Sequence, residues 1–219
     1  MTDSIRKSSE LSRRALVATA GAASLAASLP RVAAAQQPHP NPMPEEIRKV
    51  LERNPGLPVL GNPNGNITLS EFFDYNCTFC RRNMKDVQRL ITGDDQLRVV
   101  FREWPVFGDG SMFAAQASLA SLKQGKYWQF HSDMMEMNGR AEEATVLRSA
   151  RNVGLDIDKL RADMEAPEII EQIYESMDLA DTMSLSGTPT FIAGHEAAFG
   201  LMSLDDLRSL VAKAREDLL

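Results

Sequence analysis

The sequence predicts a mixed α/β domain whose elements run β-α-β, then a set of inserted helices, then β-β-α. Three observations predict it. Residues 67–75 alternate with a period of two and are followed at once by apolar residues at helical spacing. Residues 109–184 carry little strand pattern but are punctuated by Gly125, Asn138-Gly139, Gly154 and Pro167, as the ends of several helices would be. Residues 190–219 hold two short β-prone runs and then a helical stretch.

The first 35 residues stand apart from that domain. Arg6, Lys7, Arg13 and Arg14 make a basic start, an Ala/Leu/Val run follows from Ala15 to Leu29, and Ala33-Ala34-Ala35 fits a small-residue cleavage site. This reads as an export signal, with Gln36 as the mature start. The Arg13-Arg14 pair after Ser12 resembles a twin-arginine signal; an ordinary secretory signal that carries two arginines is the other reading. Export places the mature protein in the periplasm. Removing a leader with five basic and two acidic residues leaves a net charge of −9, against −6 for the whole chain. An acidic surface excludes nucleic acid and anionic membrane as main partners, and no run is long and apolar enough for a permanent membrane span.

Residues 36–64 read as a linker with one short helix. Proline and polar residues fill Gln36–Pro44, while Glu45–Arg53 is acidic early and basic late, as the helix dipole prefers. Asn54-Pro55-Gly56 ends that helix, and Gly61-Asn62-Pro63-Asn64-Gly65 is a strong turn cluster. The main domain is assigned to residues 65–219. In its first strand Ile67, Leu69, Glu71, Phe73 and Tyr75 share one face. In the following helix Cys80, Met84, Val87 and Ile91 form one buried stripe, with Arg81, Arg82, Lys85 and Arg89 off it. Leu97–Phe101 is a second strand, so the connection is a right-handed crossover between parallel strands. The helical insertion spans about residues 106–186. Thr190–Ala193 and Ala197–Phe199 form a hairpin around Gly194-His195, and Ser203 caps a last helix running to Leu218.

The chain has two cysteines, Cys77 and Cys80, only three residues apart. A structural disulfide at this spacing closes almost no loop and stabilises little. A zinc site needs about four ligands, and His39, His131 and His195 show no finger-like spacing. Redox chemistry is the reading that remains, in a compartment where thiols can be oxidised. Because the helix begins at the pair, Cys77 sits at the positive end of the macrodipole, which favours a thiolate. Arg81 and Arg82 add positive charge nearby. Cys80, on the buried stripe, is shielded. The expectation is an exposed, acidic Cys77 that attacks and a buried Cys80 that resolves the mixed disulfide.

Two further segments bear on this chemistry. Glu71 lies on the apolar strand face six residues before Cys77, where burial raises a carboxyl pKa and suits it to accept a proton from Cys80; the alternative is a strand acid paired with Arg98. Ser186-Gly187-Thr188-Pro189-Thr190 immediately precedes a strand, where proline is tolerated in either peptide isomer. The remaining candidates are bland. His131 reads as a helix residue of the insertion, His195 as a turn residue, the eleven methionines as core filler, and Trp104-Pro105 as packing or as a border of the site.

The segments Glu71-Phe72-Phe73-Asp74-Tyr75-Asn76-Cys77 and Gly187-Thr188-Pro189-Thr190-Phe191, in that order with helices between, resemble the DsbA-like thiol:disulfide interchange proteins of the thioredoxin superfamily. The resemblance covers roughly Asn66 to Leu219. It implies a thioredoxin-like fold with an inserted helical subdomain, no cofactor, and catalysis by the cysteine pair. It also implies a cis Pro189 facing the cysteines, with Thr188 and Pro189 docking an extended client peptide, and a buried acid serving Cys80 at the offset of Glu71. The partners implied are exported protein thiols and disulfides and a membrane or soluble redox partner. Two departures bear on direction. Strongly oxidising members carry Pro-His between the cysteines, where this chain has Thr78-Phe79, and valine before the cis proline, where it has Thr188, as isomerase and reductase relatives do. The short segment 36–63 is too small for an oligomerising stalk, which favours a monomer and dithiol oxidation. Isomerase or reductase activity is the alternative, and a Cu(I)-binding protein using the same two thiolates is the reading from a different class.

Overall fold

The computed structural model describes residues 41–219; the export signal and its cleavage site lie outside the described residues. The described chain forms a five-stranded mixed sheet with helices on both faces. The strands are β1 (Val59–Gly61), β2 (Ile67–Phe73), β3 (Leu97–Glu103), β4 (Thr190–Ala193) and β5 (Glu196–Phe199), in the order β1-β3-β2-β4-β5. β2 and β3 run parallel, with Glu71 beside Phe101 and Phe73 beside Glu103, while β1, β4 and β5 each pair antiparallel with their neighbours. The helices are α1 (Glu45–Arg53), α2 (Thr78–Gly93), α3 (Asp109–Ser121), α4 (Tyr127–Glu136), α5 (Glu143–Asn152), α6 (Ile157–Met164), α7 (Pro167–Thr182) and α8 (Leu204–Leu218). This is the thioredoxin-like α/β fold that the sequence predicts, with α3–α7 inserted between β3 and β4.

One face of the sheet carries Ile67, Leu69, Phe73, Val99 and Phe101, which join α2, α8 and the inserted helices in the main core. The other face is also covered. Phe72 and Ile192 pack with Leu51 of α1, Trp104, and Leu179 and Ala180 of α7. Every residue of β2 is therefore buried, including Thr68 and Ser70. The period-two pattern sorts β2 into two buried layers; neither is open to solvent.

The segment read as a linker takes part in this packing. Val59–Gly61 pairs with β3, and α1 docks through Leu51 and its C-terminal carbonyls. Arg102, whose side chain is fully buried, donates from Nε to Leu51 O (3.1 Å), from Nη2 to Val50 O, and from Nη1 to Glu175 (2.8 Å); Arg98 donates to Glu52 O (2.5 Å). Two arginines thus satisfy carbonyls that a helix end leaves without intrahelical partners.

Element ends follow local chemistry. β2 stops at Phe73 rather than Tyr75 because Asp74 opens the turn into α2. β3 runs on to Glu103 because Arg102 and Glu103 still pair with Phe72 and Phe73. On α2 the buried stripe is Cys80, Met84, Val87 and Leu90, with Ile91 at its margin. Ser203 caps α8 in a reciprocal box with Asp206. Gly110 lets the first turn of α3 meet the loop at Ala141, since a Cβ there would lie 2.2 Å from the Ala141 carbonyl.

Candidate active site

The site is built from the turn between β2 and α2. Asp74 O accepts the N–H of Cys77 (3.0 Å), and the Asp74 carboxylate accepts the N–H of Asn76 (2.6 Å), an Asx turn that sets the chain for the helix. The same buried carboxylate also takes the Ser111 hydroxyl (2.8 Å) and the N–H groups of Val106 (2.7 Å) and Phe107 (3.1 Å). Asn76 locks the turn to the insertion through Ser111 and both backbone groups of Ala141. Arg81 donates to the carbonyls of Tyr75 (2.6 Å), Met137 (3.1 Å) and Gly139 (2.7 Å).

Cys77 is the N-cap of α2, and its sulfur accepts the N–H of Cys80 at 3.4 Å. Both cysteines are free thiols here. Their environments differ as expected in acidity but not in exposure, since Cys77 is only 4% exposed and Cys80 0%. The expectation of an exposed Cys77 is corrected because the Thr188-Pro189 segment lies against it, with Cys77 Sγ donating to Thr188 O at 3.2 Å. The Cys77 pKa is lowered to about 6, first by the hydrogen bond from the Cys80 thiol; burial opposes this, and Thr188 and the N–H groups of Cys80 and Phe79 add to it. The thiol form is held by the Thr188 carbonyl. A thiolate needs donors instead, and the Thr188 hydroxyl, otherwise without a partner, supplies one. Cys80 is pushed far above the ordinary thiol range, first by burial, then by its bond to Cys77 and the charges of Glu71 and Cys77. The arginines matter differently than expected. Arg81 donates from Nε and Nη1 to carbonyls while its charge still interacts with Cys77, but the donors of Cys80, Thr188 and the helix N-terminus lower the Cys77 pKa most.

The Thr188–Pro189 peptide bond is cis and leads into β4. Pro189 O accepts the N–H of Gly200 (2.8 Å). Exposed apolar side chains stand on the segments bordering the sulfurs: Phe79 (47%) between the cysteines, Val106 and Phe107 in the loop held by Asp74, and Phe199 opposite Thr190 on β5.

Glu71 is buried at 3% exposure and lines a small pocket with Cys80. Its pKa is raised to about 8, first by burial and then by the charge on Cys77. Arg98 is not its partner; in the ladder Arg98 pairs with Thr68, on the opposite face, and reaches Glu52 O. Trp104 belongs to the other side of the sheet, edge-on to Phe72. His195 accepts the N–H of Met43 at 3.2 Å. His131, read as a bland helix residue, is fully buried and lines the Glu71–Cys80 pocket. Among the described residues no cluster of three or more His, Cys, Asp or Glu could hold a metal. The sequence does not single out the positioning roles of Asp74, Asn76 and Ser111, although Asp74-x-Asn76 before a helix cap is an Asx-turn signal, and it marks Arg81 only as a nearby charge.

Among solved structures the chain is similar to a thioredoxin-like oxidoreductase from Silicibacter pomeroyi DSS-3, with 48% identity, a TM-score of 0.76, and coverage of 77% of this chain and 98% of that one. It is similar to the thiol-disulfide exchange protein alpha-DsbA2 from Wolbachia pipientis at 27% identity and TM-score 0.72, covering 77% and 92%. Among curated proteins it is 29% identical over 158 residues to a Na(+)/H(+) antiporter NhaA 1 of Salinispora arenicola, covering 71% of this chain and 24% of the antiporter. The chain thus spans about a quarter of the length of the curated relatives it matches, and no helix among the described residues is long and apolar enough to cross a membrane. Residues 68–212 match the DSBA-like thioredoxin domain, and the chain belongs to this family of thiol–disulfide oxidoreductases.

Proposed function

We propose that this protein is an exported thiol–disulfide oxidoreductase that passes its Cys77–Cys80 disulfide to client dithiols outside the cytoplasm. The observation that carries the reading is the geometry of two sulfurs three residues apart: Cys77 caps α2 against the Thr188 carbonyl, and Cys80 is fully buried in a pocket with Glu71. A client thiolate attacks Cys77 Sγ, the S–S bond breaks, and the electron pair leaves on Cys80. That sulfur is a strong base in its buried site, and Glu71, protonated below about pH 8, returns a proton to it. A second client thiolate then attacks the client sulfur of the mixed disulfide. Cys77 departs as a thiolate that is stable at neutral pH. The client is oxidised by two electrons and the enzyme reduced by two. Thr188 and Pro189, with the apolar side chains of Phe79, Val106, Phe107 and Phe199 around them, suit an extended peptide with apolar residues near its cysteine. A separate redox partner reoxidises the pair, and the protein works as a monomer.

Stabilising the thiolate makes the disulfide a stronger oxidant, because exchange then leaves the protein reduced. The helix N-terminus and the Cys80 and Thr188 donors push that way. Phe79 offers the sulfur no side-chain donor. The expected potential lies between about −120 mV, typical of a strong oxidant, and about −270 mV, typical of thioredoxin. Equilibration with glutathione measures it, and refolding of reduced and of scrambled ribonuclease separates the activities. A thioredoxin-like potential with efficient rescue of scrambled ribonuclease overturns the oxidase reading in favour of isomerase or reductase, which threonine before the cis proline also suggests.

A further inference from the structure

The pocket beneath the cysteines holds more than Glu71 and Cys80. Its wall is completed by apolar side chains, including Met84 and Phe101, and by two rings of α4 that carry N–H groups, His131 and Trp128. The pocket has no room for a water molecule. Whatever hydrogen-bonds to a charge formed there must come from the protein itself.

The imidazole is fixed on every side. Tyr75 Oη lies 2.9 Å from Nδ1 and 2.7 Å from Ser118 Oγ. Phe73 meets the ring edge-on at 5.1 Å, and Tyr127 and Trp128 stack on it at 5.6 and 5.7 Å. The neutral ring carries one proton; an imidazole nitrogen is a better acceptor than a hydroxyl, and with the Tyr75 O–H assigned to Nδ1 on that ground the ring proton lies on Nε2. Burial holds the His131 pKa at about 3, so the ring stays neutral and does not itself carry the transferred proton. The titratable groups around it are Glu71 of β2, Cys80 of α2, Tyr75 of the turn and Tyr127 of α4, with Glu103 of β3 close to both tyrosines. Glu103 and both tyrosines are held protonated by burial. Glu71 is thus the group of this set that changes charge near neutral pH.

We propose that His131 is a positioning residue for proton transfer between Cys80 and Glu71, its Nε2–H supplying the buried hydrogen bond that receives the Glu71 carboxylate. The inference rests on the proposed role of Glu71. When Cys80 resolves a mixed disulfide, its S–H proton passes to the Glu71 carboxylate, and the resulting thiolate displaces the client sulfur from Cys77. In the opposite direction the Glu71 carboxyl protonates the departing Cys80 thiolate and is left ionised. In both directions the imidazole keeps its own proton and makes the ionised carboxylate attainable in a dry pocket.

The test follows, by rapid mixing, the release of glutathione from its mixed disulfide with Cys77, a step that requires deprotonated Cys80. In the wild-type protein the rate should rise with pH through an inflection set by Glu71, raised by burial but below the value of about 8 in the reduced protein, because the mixed disulfide removes the charge on Cys77. His131→Phe keeps the ring and removes the N–H. The inflection should move up by about one pH unit, with release about tenfold slower at neutral pH. His131→Gln places an amide N–H near the position of Nε2 and should restore the rate to within about threefold, whereas His131→Asn reaches only the Nδ1 position and should not. Tyr75→Phe, which frees Nδ1 and lets the tautomer exchange, should shift the inflection upward by less, and it provides the reading if His131→Phe does not fold. An unmoved or lowered inflection in His131→Phe overturns the proposal, because looser packing that admits water would lower a pKa raised by burial, the opposite of the shift expected from losing the N–H. Glu71→Gln separates the two claims. If it abolishes the inflection while His131→Phe leaves it in place, only His131 loses its role; if it leaves the inflection in place, both roles fall.

Discussion

The backbone N–H of Cys80 points at the sulfur of Cys77 from 3.4 Å away, so the resolving cysteine forms part of the cap that holds the attacking one. The thiol of Cys80 is also the largest single influence lowering the Cys77 pKa. The two cysteines are therefore an acid–base unit as well as a redox pair.

Removing the Cys80 side chain should make Cys77 less acidic. In the reduced protein, thiolate absorbance should titrate with a pKa of about 6. In Cys80→Ala it should rise towards, but not reach, the ordinary thiol value of about 8.5, because the helix N–H groups and Thr188 remain. Adding Thr188→Val should raise it again. An unchanged titration in Cys80→Ala would show that the helix terminus alone sets the acidity.

Glu71 costs the fold stability, and the cost depends on pH. Its folded pKa of about 8 lies above its ordinary value of 4.5. Below pH 4.5 the carboxyl is protonated in both states and contributes nothing. Between 4.5 and 8 the unfolded chain releases the proton while the folded chain keeps it, so unfolding gains about 1.4 kcal/mol for each pH unit. Above about 8 the effect levels off. Urea denaturation of the reduced protein should show Glu71→Gln gaining stability over the wild type across that window. A constant difference at all pH values would show that Glu71 ionises freely in the folded state.

Asp74 should be intolerant of its own amide. Its carboxylate accepts four hydrogen bonds, from Asn76, Ser111, Val106 and Phe107. Asp74→Asn turns an NH₂ group towards one pair of these donors, leaving at least one part-buried N–H without its acceptor. The expected loss is about 2–3 kcal/mol in thermal or urea denaturation, with slower disulfide exchange as the cysteine turn loosens. Wild-type stability would mean that the turn is held by Asn76 and Arg81 without it.

Much of the fold was legible because strong local signals coincide with element boundaries. Alternation in 67–73, the turn cluster before it, the capping serine at 203 and the glycines of the insertion each mark an element that forms. The misreadings share a different cause. Nothing in the local pattern of 36–64 says that β1 pairs with a strand nearly forty residues later, or that buried Arg98 and Arg102 reach the carbonyls of α1. Leu90 replaces Ile91 on the buried stripe because α8 and the sheet decide which side of α2 is covered. In the site, the cysteines and Glu71 could be named from their positions, and Thr188-Pro189 from the resemblance to the DsbA-like family. His131 could not, since a histidine on a helix has the same sequence appearance whether it meets solvent or Glu71.

By itself the sequence determined the order of the elements, the helix start at the cysteines and the placement of Glu71 on the apolar face of β2, because each depends on neighbours within a few residues. Only the tertiary structure decided that Cys77 is covered by Thr188, that both faces of the sheet are buried, and that Glu71, Cys80 and His131 share one dry pocket. Those facts depend on contacts between residues tens to more than a hundred positions apart. Burial and desolvation, which set the acidities of Glu71, Cys80 and His131 and oppose that of Cys77, exist only once those distant segments have closed over them.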